Sequence, residues 1–470
     1  MFNPVTLKIL DKLRLIVGDE FVLTDNDSID RASRDETEDL CFPPDVVVRP
    51  RTPEEISEIL KLANDETIAV TPRGGGTGLS GGALPVHRGI VLYIDRMHDI
   101  IEIDRENFFV TTETGIITEM LQNEVEKVGL FYPPDPASRG SCFIGGNLAE
   151  NSGGPRAVKY GVTKDWVYGL EVVLPTGEII RPGGKLLKNV TGYNLTQLFI
   201  GSEGTLGIIT KAILKLIPKP KFSSVLLAAF DDPYKACQTV PALYHAGLNP
   251  SACEFVERDV LQMALAHLGK CLPNSDAAAQ LLIELDGNDV DRLSEEIEHA
   301  GMVCMEGYNG LGGGAIDVIL ADSGQKVSEI WDIRRGCGEA VKSHSIYKEE
   351  DTVVPRAKLP DLFVGVKKIC GKNGVRSACY GHAGDGNLHV NLLKDTLTDE
   401  EWATKLPPTI TEIFEHCISL GGSISGEHGI GWSQKAYLPM AISPDELALM
   451  KSLKKTLDPN GILNPGKVFD

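Results

Sequence analysis

The sequence predicts an α+β fold with at least two domains, and three observations support this prediction. The chain has 470 residues, which exceeds the length at which a single hydrophobic core usually stops growing. From Val46 onwards, short runs of β-branched residues alternate with segments of helical periodicity. The sequence Pro218-Lys219-Pro220, followed by a stretch with fewer glycines, indicates a boundary between two such regions.

The first region begins with an N-terminal segment and continues into a glycine-rich domain. Residues 1–40 are predicted to form an appendage, with a helix from Pro4 to Val17 and then an acidic arm at 25–39 that we expect to be solvated surface. Residues 41–220 form the first domain. There Thr52-Pro53-Glu54-Glu55 is a typical start of a helix, which we expect to extend to Asn64, and a strand is expected at 68–71.

The second domain, residues 221–420, is predicted to alternate strands and helices in one sheet. Strands are expected at 223–230 and 280–287, and helices at 232–246, 256–268 and 290–300. Residues 421–470 again carry glycine-rich segments. We therefore expect this last part of the chain to return to the first domain and to complete both that domain and the active site.

The composition limits the partners and the compartment of the protein. The formal net charge of -20 disfavours binding to nucleic acid or to an anionic membrane surface. The ten cysteines occur singly, with no CxxC pair and no run of iron–sulfur ligands, which predicts reduced thiols in the cytoplasm. No apolar run approaches the roughly 20 residues that span a bilayer, so direct membrane insertion is not expected.

A first glycine loop, PRGGGTGLSGG at residues 72–82, follows a predicted strand. Its amides can approach a ligand closely because glycine has no Cβ, so we expect it to bind a phosphate group. Gly76, Gly78 and Gly81 satisfy the pattern G-x-G-x-x-G, but a Rossmann dinucleotide site needs a helix directly afterwards. Here the next predicted element is another strand, at 90–94. We therefore interpret the dinucleotide motif as a coincidence.

A second glycine-rich segment is longer and more specific. It consists of YPPDPASRGSCFIGGNLAENSGGPRAVKYG at 132–161, and it is followed by LEVVLPTGE, by LFIGSEGTLGIITKAILKL at 198–216 and by the C-terminal DPNGILNPGKVF. Together with the first loop, these segments resemble the PCMH-type FAD-binding domain of the vanillyl-alcohol oxidase superfamily. The resemblance covers nearly the whole chain. It implies a two-lobe FAD-binding domain followed by an α+β, ferredoxin-like substrate domain.

The resemblance also implies which residues contact FAD. The matching positions are Arg73, Gly74, Gly75, Gly76, Thr77, Gly78 and Ser80 in the first loop; Pro134, Asp135, Ser138, Gly145, Gly146, Asn147, Asn151, Gly153, Gly154 and Gly161 in the second; Glu203, Gly207 and Ile209 on the adenosine side; and Asn464 near the C-terminus. Any single one of these glycines could equally well serve only to form a turn. The whole array of matching positions, however, favours FAD binding. Members with covalently attached FAD usually have a histidine in the first loop. This loop has none, which implies non-covalent binding.

Two further segments suggest a metal site: GHAGDGNLHVN at 381–391 and SGEHGIG at 425–431. On a continuous strand His382 and His389 would face opposite sides, but the turn at 384–387 is expected to bring both imidazoles to one point, with Glu427 as a third ligand. Such a set suits Zn²⁺, Fe²⁺ or Mn²⁺ and discriminates poorly among them. A lone histidine in a strand is usually only a satisfied polar residue, but this cluster favours a site. His416, on an apolar helix, is interpreted as structural.

The same segments resemble the glycolate, D-lactate and D-2-hydroxyglutarate dehydrogenases of this superfamily, in which the matching residues bind a divalent metal. The resemblance implies that His428 is the catalytic base and that Asn391 lies on the substrate side. The segment IWDIRRGCGEAVKSHSIYKEEDTVVP at 330–355 resembles the family's carboxylate-binding helix and strand, with Arg334 as the residue that binds the substrate carboxylate. The alternative for Arg334 is a surface position on a helix.

The chain departs from the family pattern at one position. Some relatives have a lysine six residues before the proline of this segment, but here that position is Glu349, and Lys348 lies one residue earlier. Lys348 is therefore a candidate substrate contact that the departure puts in question. Glu349 and Glu350 would repel a second substrate carboxylate, which favours D-lactate or glycolate over D-2-hydroxyglutarate.

The sequence thus predicts an FAD-dependent D-2-hydroxyacid dehydrogenase that converts D-lactate to pyruvate by hydride transfer to flavin N5. Glycolate and D-2-hydroxyglutarate are the alternative substrates. Two alternative activities remain at this stage: an oxidase of the same fold, and a flavin-free metallohydrolase that uses His382, His389 and Glu427 to activate water. The chain has no cluster ligands of its own. Electrons are therefore expected to pass to a separate protein, either an electron-transferring flavoprotein or an iron–sulfur subunit.

Overall fold

The computed structural model describes residues 2–38, 40–321 and 323–470. The chain forms two compact units. The first consists of Met1–Gly153, Val162–Lys219 and Glu427–Asp470, and the second of Gly154–Gly161 and Pro220–Gly426. The N-terminal segment and the C-terminal residues from Glu427 therefore both belong to the first unit.

The strands were located as follows, in chain order: β1 (Val22–Leu23), β2 (Val46–Val48), β3 (Val70–Arg73), β4 (Ile90–Tyr93), β5 (Ile100–Asp104), β6 (Phe109–Glu113), β7 (Leu130–Phe131), β8 (Val167–Val173), β9 (Ile179–Ile180), β10 (Ile208–Lys215), β11 (Ile217–Pro218), β12 (Phe222–Phe230), β13 (Ala252–Glu257), β14 (Ala279–Gly287), β15 (Asp317–Leu320), β16 (Tyr347–Val353), β17 (Arg376–Gly381) and β18 (Asn387–Leu393).

The α-helices are, in the same order, α1 (Leu7–Val17), α2 (Asn26–Ala32), α3 (Pro53–Glu66), α4 (Thr118–Glu126), α5 (Ile144–Glu150), α6 (Ala157–Tyr160), α7 (Leu195–Phe199), α8 (Pro233–His245), α9 (Arg258–Leu268), α10 (Val290–Glu306), α11 (Gly324–Arg335), α12 (Cys337–His344), α13 (Leu359–Asn373), α14 (Asp399–Ser419), α15 (Leu438–Ala441) and α16 (Pro444–Leu457). The predicted mixture of helices and sheets is confirmed.

The first unit contains two main sheets. One has the strand order β1-β2-β4-β3, in which β2, β3 and β4 are parallel and β1 is antiparallel to β2. The other is antiparallel, with the order β5-β6-β10-β8-β9. Strands β2 and β4 consist mainly of buried valine, isoleucine and leucine, as expected for parallel strands covered on both faces.

The N-terminal helix α1 is not an appendage. Its Ile9, Leu13 and Val17 are buried in the same hydrophobic cluster as residues of α3 and of the parallel strands. Helix α3 begins where the sequence predicts, because the Thr52 side chain accepts a hydrogen bond from the Glu55 amide at 3.2 Å.

The connection from β3 to β4 is unusual for parallel neighbours. Among the described residues 74–89 there is no helix, and this segment is the first glycine loop. A Rossmann site places the pyrophosphate at the start of a helix in this position. The interpretation of the G-x-G-x-x-G match as a coincidence is therefore confirmed.

The second unit contains one antiparallel sheet with the strand order β15-β12-β14-β13-β17-β18-β16. Helices α9 and α12 pack against one face of this sheet, where they form a hydrophobic cluster with Val256 of β13 and Tyr380 of β17. The sequence places Val256 at the start of a helix. Instead, pairing with β14 continues the strand to Glu257, and α9 begins at Arg258, because tertiary pairing overrides the local helical pattern.

In the part of the chain that the structure describes, no helix combines the length and the apolar character that are needed to cross a bilayer.

Candidate functional site

A cleft opens in the first unit between its glycine-rich segments. Most of the residues predicted to contact FAD line it: residues 73–78 of the first loop, Ser138 and residues 145–147 of the second, and then Glu203, Gly207, Ile209 and Asn464. Segments that are far apart in the sequence thus meet around one cavity.

Two features of the cleft fit a large polar cofactor. A Cβ atom built at Gly78 or at Gly146 would have no described protein atom within 4 Å, so these positions leave space that the protein itself does not use. Arg73 lines the cleft, and its Nη1 atom is buried without a hydrogen-bond partner among the described residues. Buried donors of this kind normally have partners, and the phosphates of FAD would supply them.

Other predicted FAD contacts do not line the cleft and have structural roles. The Pro134 carbonyl accepts from the Gln122 side chain at 2.8 Å, and the buried Asp135 pairs with Arg139 at 2.9 Å. Asn151 ends helix α5 in the left-handed conformation, with φ of 57°. Ser80, Gly153, Gly154 and Gly161 are likewise absent from the lining residues, and the last two belong to the second unit. FAD contact by these residues stays a prediction.

The acidic arm contacts the first glycine loop. The Thr37 hydroxyl accepts from the Gly81 amide at 2.6 Å, the Glu36 amide donates to the Gly78 carbonyl at 3.1 Å, and the Arg73 guanidinium donates to the Arg34 carbonyl at 2.7 Å. The prediction that this arm is merely solvated surface is wrong for residues 34–37. These residues hold the loop in place; Asp39 lies outside the described residues.

Two carboxyl groups, from Glu150 and Glu203, lie side by side in the cleft. The Glu203 oxygens accept hydrogen bonds from the Ile430 amide at 2.8 Å and the Gly431 amide at 2.5 Å. The Glu150 Oε2 atom is buried without a partner among the described residues. Both carboxyl groups approach the α-carbon of Gly429, because a Cβ there would contact Glu150 and would lie 3.2 Å from Glu203 Oε1.

The two carboxyl groups have raised pKa values for partly different reasons. Burial raises the pKa of Glu150 well above its ordinary value, and the neighbouring Glu203 raises it further. Burial also raises the pKa of Glu203, but the two backbone donors counteract this effect. Glu203 is therefore the better site for the negative charge, and the pKa of Glu150 is the more strongly raised of the two. Sequence reasoning missed Glu150, although an acidic residue within the motif NLAENSGG is a visible signal.

The second unit brings the two predicted metal-binding histidines together. His382 follows β17, a short turn at Ala383–Asp385 reverses the chain, and His389 lies on β18 opposite Tyr380. The imidazole centroids are 5.2 Å apart and the rings are nearly perpendicular. The prediction that the glycine turn brings both imidazoles to one point is confirmed. Their role as metal ligands remains a proposal.

A buried carboxylate that the sequence analysis overlooked lies behind His382. The Glu254 side chain has an exposed fraction of 0%. Its oxygens lie 2.9 Å and 3.0 Å from His382 Nδ1 and 2.5 Å from Arg334 Nη2. Burial raises the pKa of Glu254, but the hydrogen bond from His382 and the charge of Arg334 act against burial, and the pKa of Glu254 lies below its ordinary value. A glutamate between the apolar residues Cys253 and Phe255 of strand β13 was the available signal.

Arg334 belongs to helix α11 and its side chain is buried, so the alternative of a surface position is wrong. Its guanidinium lies over the Tyr380 ring, 4.9 Å from the centroid. Among the described residues, Arg334 Nε and Asn391 Oδ1 have no hydrogen-bond partner. Asn391 is held through its amide nitrogen, which donates to the Ala378 carbonyl at 3.2 Å. A buried donor and a buried acceptor are thus available for a polar ligand.

Two more carboxylates face His389. Its Nδ1 atom is 3.5 Å from both Glu349 Oε1 and Asp351 Oδ1. Asp351 also accepts from the Ser425 hydroxyl at 3.1 Å and from the Gly426 amide at 2.8 Å. Asp351 therefore fixes the chain just before Glu427.

Strand register separates Lys348 from this cluster. Asp351 pairs with His389 and Glu349 with Asn391, so these four side chains lie on one face of the sheet. Lys348 pairs with Leu392 and therefore points to the opposite face, as does Glu350. We correct two expectations accordingly: Lys348 is not placed to contact a ligand of the cluster, and only Glu349 of the two glutamates faces it.

Glu427 and His428 directly follow Gly426 in the chain and line the cleft of the first unit. His416 is structural as predicted: its Nε2 atom lies 3.1 Å from the Asp361 carbonyl oxygen.

Comparison with known proteins gives consistent results. Residues 44–183 match the family described as "FAD binding domain", and residues 219–468 match "FAD linked oxidases, C-terminal domain". The chain is 43% identical over 431 residues to "Glycolate oxidase subunit GlcD" of Bacillus subtilis (strain 168), covering 91% of this chain and 89% of that protein. It is 37% identical over 482 residues to "D-lactate dehydrogenase" of Anaerostipes hadrus, covering 99% and 98%.

Among solved structures, p-cresol methylhydroxylase with substrate bound has the same fold. The TM-score is 0.80 over 100% of this chain and 99% of that chain, at 18% identity. The predicted fold class and the FAD-binding domain are confirmed, and the alternative of a flavin-free metallohydrolase is contradicted.

Proposed function

Since this chain belongs to the FAD-linked oxidase family and carries its FAD-binding domain, we propose that it is a dehydrogenase of small D-2-hydroxy acids, which oxidises D-lactate to pyruvate. The observation that carries the proposal is the buried polar set on one face of the second sheet. There Arg334 offers donors for a carboxylate, Asn391 offers an acceptor, and His382 and His389 lie together. A 2-hydroxy acid presents the matching carboxylate and hydroxyl on adjacent carbons.

The glycine loops of the first unit would hold FAD, which accepts the substrate hydride at N5. Arg73 and the amides of residues 74–78 suit the pyrophosphate. The first loop contains no histidine, so we propose that FAD is bound without a covalent link. Unfolding the protein in denaturant should then release the yellow cofactor into the filtrate.

We propose that His382, His389 and Glu427 bind a divalent metal, either Zn²⁺, Fe²⁺ or Mn²⁺. Buried charge supports this idea: Glu254, Glu349 and Asp351 bring three carboxylates to the histidines, whereas Arg334 brings one guanidinium. These carboxylates would lower the energy of a cation bound at the two histidines. An alcohol with a pKa near 15.7 costs about 12 kcal/mol to ionise at pH 7, and a coordinated metal can remove most of that cost.

The remaining steps belong to side chains of this chain. Arg334 binds the substrate carboxylate through its guanidinium fork, a contact worth about 1.5–3 kcal/mol when buried. Asn391 accepts a hydrogen bond on the substrate side. His428 takes the hydroxyl proton as C2 gives up its hydride.

Glu349 favours D-lactate over a dicarboxylic substrate. Like charges about 7 Å apart repel by roughly 2 kcal/mol at an effective dielectric constant of about 20, which corresponds to about 30-fold. Glu349→Gln should therefore raise kcat/KM for D-2-hydroxyglutarate relative to D-lactate by about 10- to 30-fold. Glu350→Gln, on the opposite face, is the matched control. An unchanged ratio in Glu349→Gln would contradict the role of Glu349.

We propose that a separate protein reoxidises the flavin, either an electron-transferring flavoprotein or an iron–sulfur subunit, because the sequence has no run of cluster ligands. The ten cysteines are unpaired thiols, which supports a cytoplasmic location. Candidate acceptors should restore the colour of the reduced protein within its turnover time. Rapid reoxidation by oxygen alone would favour the oxidase alternative instead.

The decisive experiment is anaerobic bleaching of the bound flavin by D- and L-lactate, glycolate and D-2-hydroxyglutarate, each with and without a chelator. We expect fast bleaching by D-lactate, slow bleaching by L-lactate, and loss of the fast phase after chelation that added metal restores. Arg334→Lys should raise the KM for D-lactate while it leaves bound FAD unchanged, because lysine lacks the planar fork. Absence of bleaching by every acid in the panel would refute the proposed function.

A further inference from the structure

Glu254 contacts two residues of the proposed site. It lies on β13, a central strand of the second sheet, and its side chain is completely buried. His382 comes from the end of the neighbouring strand β17, and Arg334 comes from helix α11. One carboxylate thus joins the histidine and the arginine at 2.9 Å and 2.5 Å.

The contact with Glu254 determines the tautomer and the orientation of the His382 imidazole. A carboxylate beside Nδ1 favours the tautomer that carries its proton on Nδ1, so the lone pair lies on Nε2. The same contact fixes the plane of the ring. In metal sites, carboxylates that hold the outer nitrogen of a histidine in this way orient the ligand and increase its basicity.

The contact with Glu254 also fixes the orientation of the Arg334 guanidinium. Glu254 takes one terminal nitrogen, Nη2, and the Tyr380 ring lies against the guanidinium plane. The Nε atom stays buried without a partner among the described residues. The side chain is therefore held in a single orientation before any substrate arrives, which lowers the entropy cost of binding a carboxylate.

We propose that Glu254 is a positioning residue that couples the two halves of the site: it orients His382 for the metal and Arg334 for the substrate carboxylate. This inference rests on the proposed function. Glu254 itself contacts neither the substrate nor the metal. Its loss should therefore weaken metal binding and substrate binding together, whereas a change in either partner weakens mainly one of them.

A neighbouring residue provides a matched control. Glu284, on the adjacent strand β14, is also buried and also contacts helix α11, where it accepts a hydrogen bond from Trp331 Nε1 at 2.8 Å. It is also 3.8 Å from Arg156, which lies outside the proposed site. Glu284→Gln removes an equally buried charge beneath the same helix.

The test compares Glu254→Gln with Glu284→Gln in the FAD-loaded protein. Metal affinity is measured directly, by competition with a chelator of known affinity and metal analysis, and KM for D-lactate is measured at saturating metal. We expect Glu254→Gln to weaken metal binding 10- to 100-fold and to raise KM at least 10-fold. One metal per chain should still bind at saturation, and the flavin spectrum should be unchanged. Glu284→Gln should match the parent in both measurements.

The outcomes separate this inference from the proposed function. If the parent binds metal and oxidises D-lactate but Glu254→Gln keeps both affinities, the positioning role is wrong and the function stands. If Glu254→Gln binds no metal even at saturation, Glu254 is a ligand and the inference is overturned. A parent protein that binds no metal overturns the metal proposal and this inference together.

If Glu254→Gln is recovered without FAD, Glu254→Asp provides the same test. Aspartate keeps the charge, but its side chain is one methylene shorter and cannot reach both partners. At least one of the two affinities must then fall 10-fold or more, and retention of both would refute the role.

Discussion

Replacing Glu150 by glutamine should make the stability of the first unit less dependent on pH. The Glu150 carboxyl has a buried Oε2 atom without a partner among the described residues, and it lies beside Glu203. Burial and Glu203 raise the pKa of Glu150 well above its ordinary value of 4.5. Glutamine has the same shape as the protonated acid but cannot ionise.

The direction of the effect follows from proton binding. Above pH 4.5 the unfolded chain releases this proton, whereas the folded protein keeps it until the raised pKa is reached. The folded state therefore binds more protons in that window, and the free energy of unfolding falls by up to about 1.4 kcal/mol per pH unit. The glutamine substitution removes this fall. Relative to the parent, the variant should gain up to about 2.7 kcal/mol over two pH units above 4.5, and nothing below.

The assay is thermal unfolding of the FAD-free protein at a series of pH values between 4 and 8. In a unit of this size a change of 1 kcal/mol shifts Tm by about 2–4 °C, so the full effect should reach about 5–10 °C. Glu106→Gln, at an exposed position, makes the same change of charge and should show no pH-dependent difference. A Tm difference for Glu150→Gln that is constant with pH, or that shrinks as pH rises, would refute the reasoning.

Three further outcomes are expected. Gly75→Ala should destabilise the FAD-free protein by about 1–3 kcal/mol, because the new Cβ would collide with the Ser141 carbonyl oxygen. Gly78→Ala should leave the Tm of the FAD-free protein unchanged but weaken FAD binding. Equal effects of the two substitutions on Tm would contradict this prediction. His428→Ala should retain FAD while flavin bleaching by D-lactate falls at least 100-fold, since general-base catalysis contributes about 10²–10⁴-fold; rapid bleaching would overturn the assignment. Burial lowers the pKa of Lys467 from 10.5 to about 7. Between these two pH values the folded state binds fewer protons than the unfolded state, so the free energy of unfolding should rise with pH. The Tm of Lys467→Met should not show this rise.

The glycine loops and the histidine turn could be predicted because their signals are local. Gly384 and Gly386 reverse the chain within a few residues, and the alternation of side chains along a strand then places His382 and His389 on one side. In the same way, Thr52 predicts the start of helix α3 at the next residue, because its side chain caps the helix by accepting a hydrogen bond from the Glu55 amide.

The supporting residues could not be predicted in this way. Glu254 is 128 positions away from His382, and the Glu203 carboxylate accepts a hydrogen bond from Gly431 across 228 positions. Nothing in the local pattern around Glu254 names its partners. Register was equally hidden: Lys348 and Glu349 are adjacent in sequence, yet pairing with β18 places them on opposite faces of the sheet.

The sequence by itself determined the glycine-rich segments and the mixed helix and strand content, because turn residues, helix caps and periodicity act over a few residues. The expected FAD contacts and the candidate site residues came instead from the resemblance to a known family. Only the tertiary structure decided that residues 34–37 of the acidic arm hold the first glycine loop, that burial beside Glu203 raises the pKa of Glu150, and that Glu254 contacts both His382 and Arg334. These contacts depend on which distant strands pair and in which register. That choice is made by burying apolar faces over the whole sheet, so it is a property of the folded chain and not of any single segment.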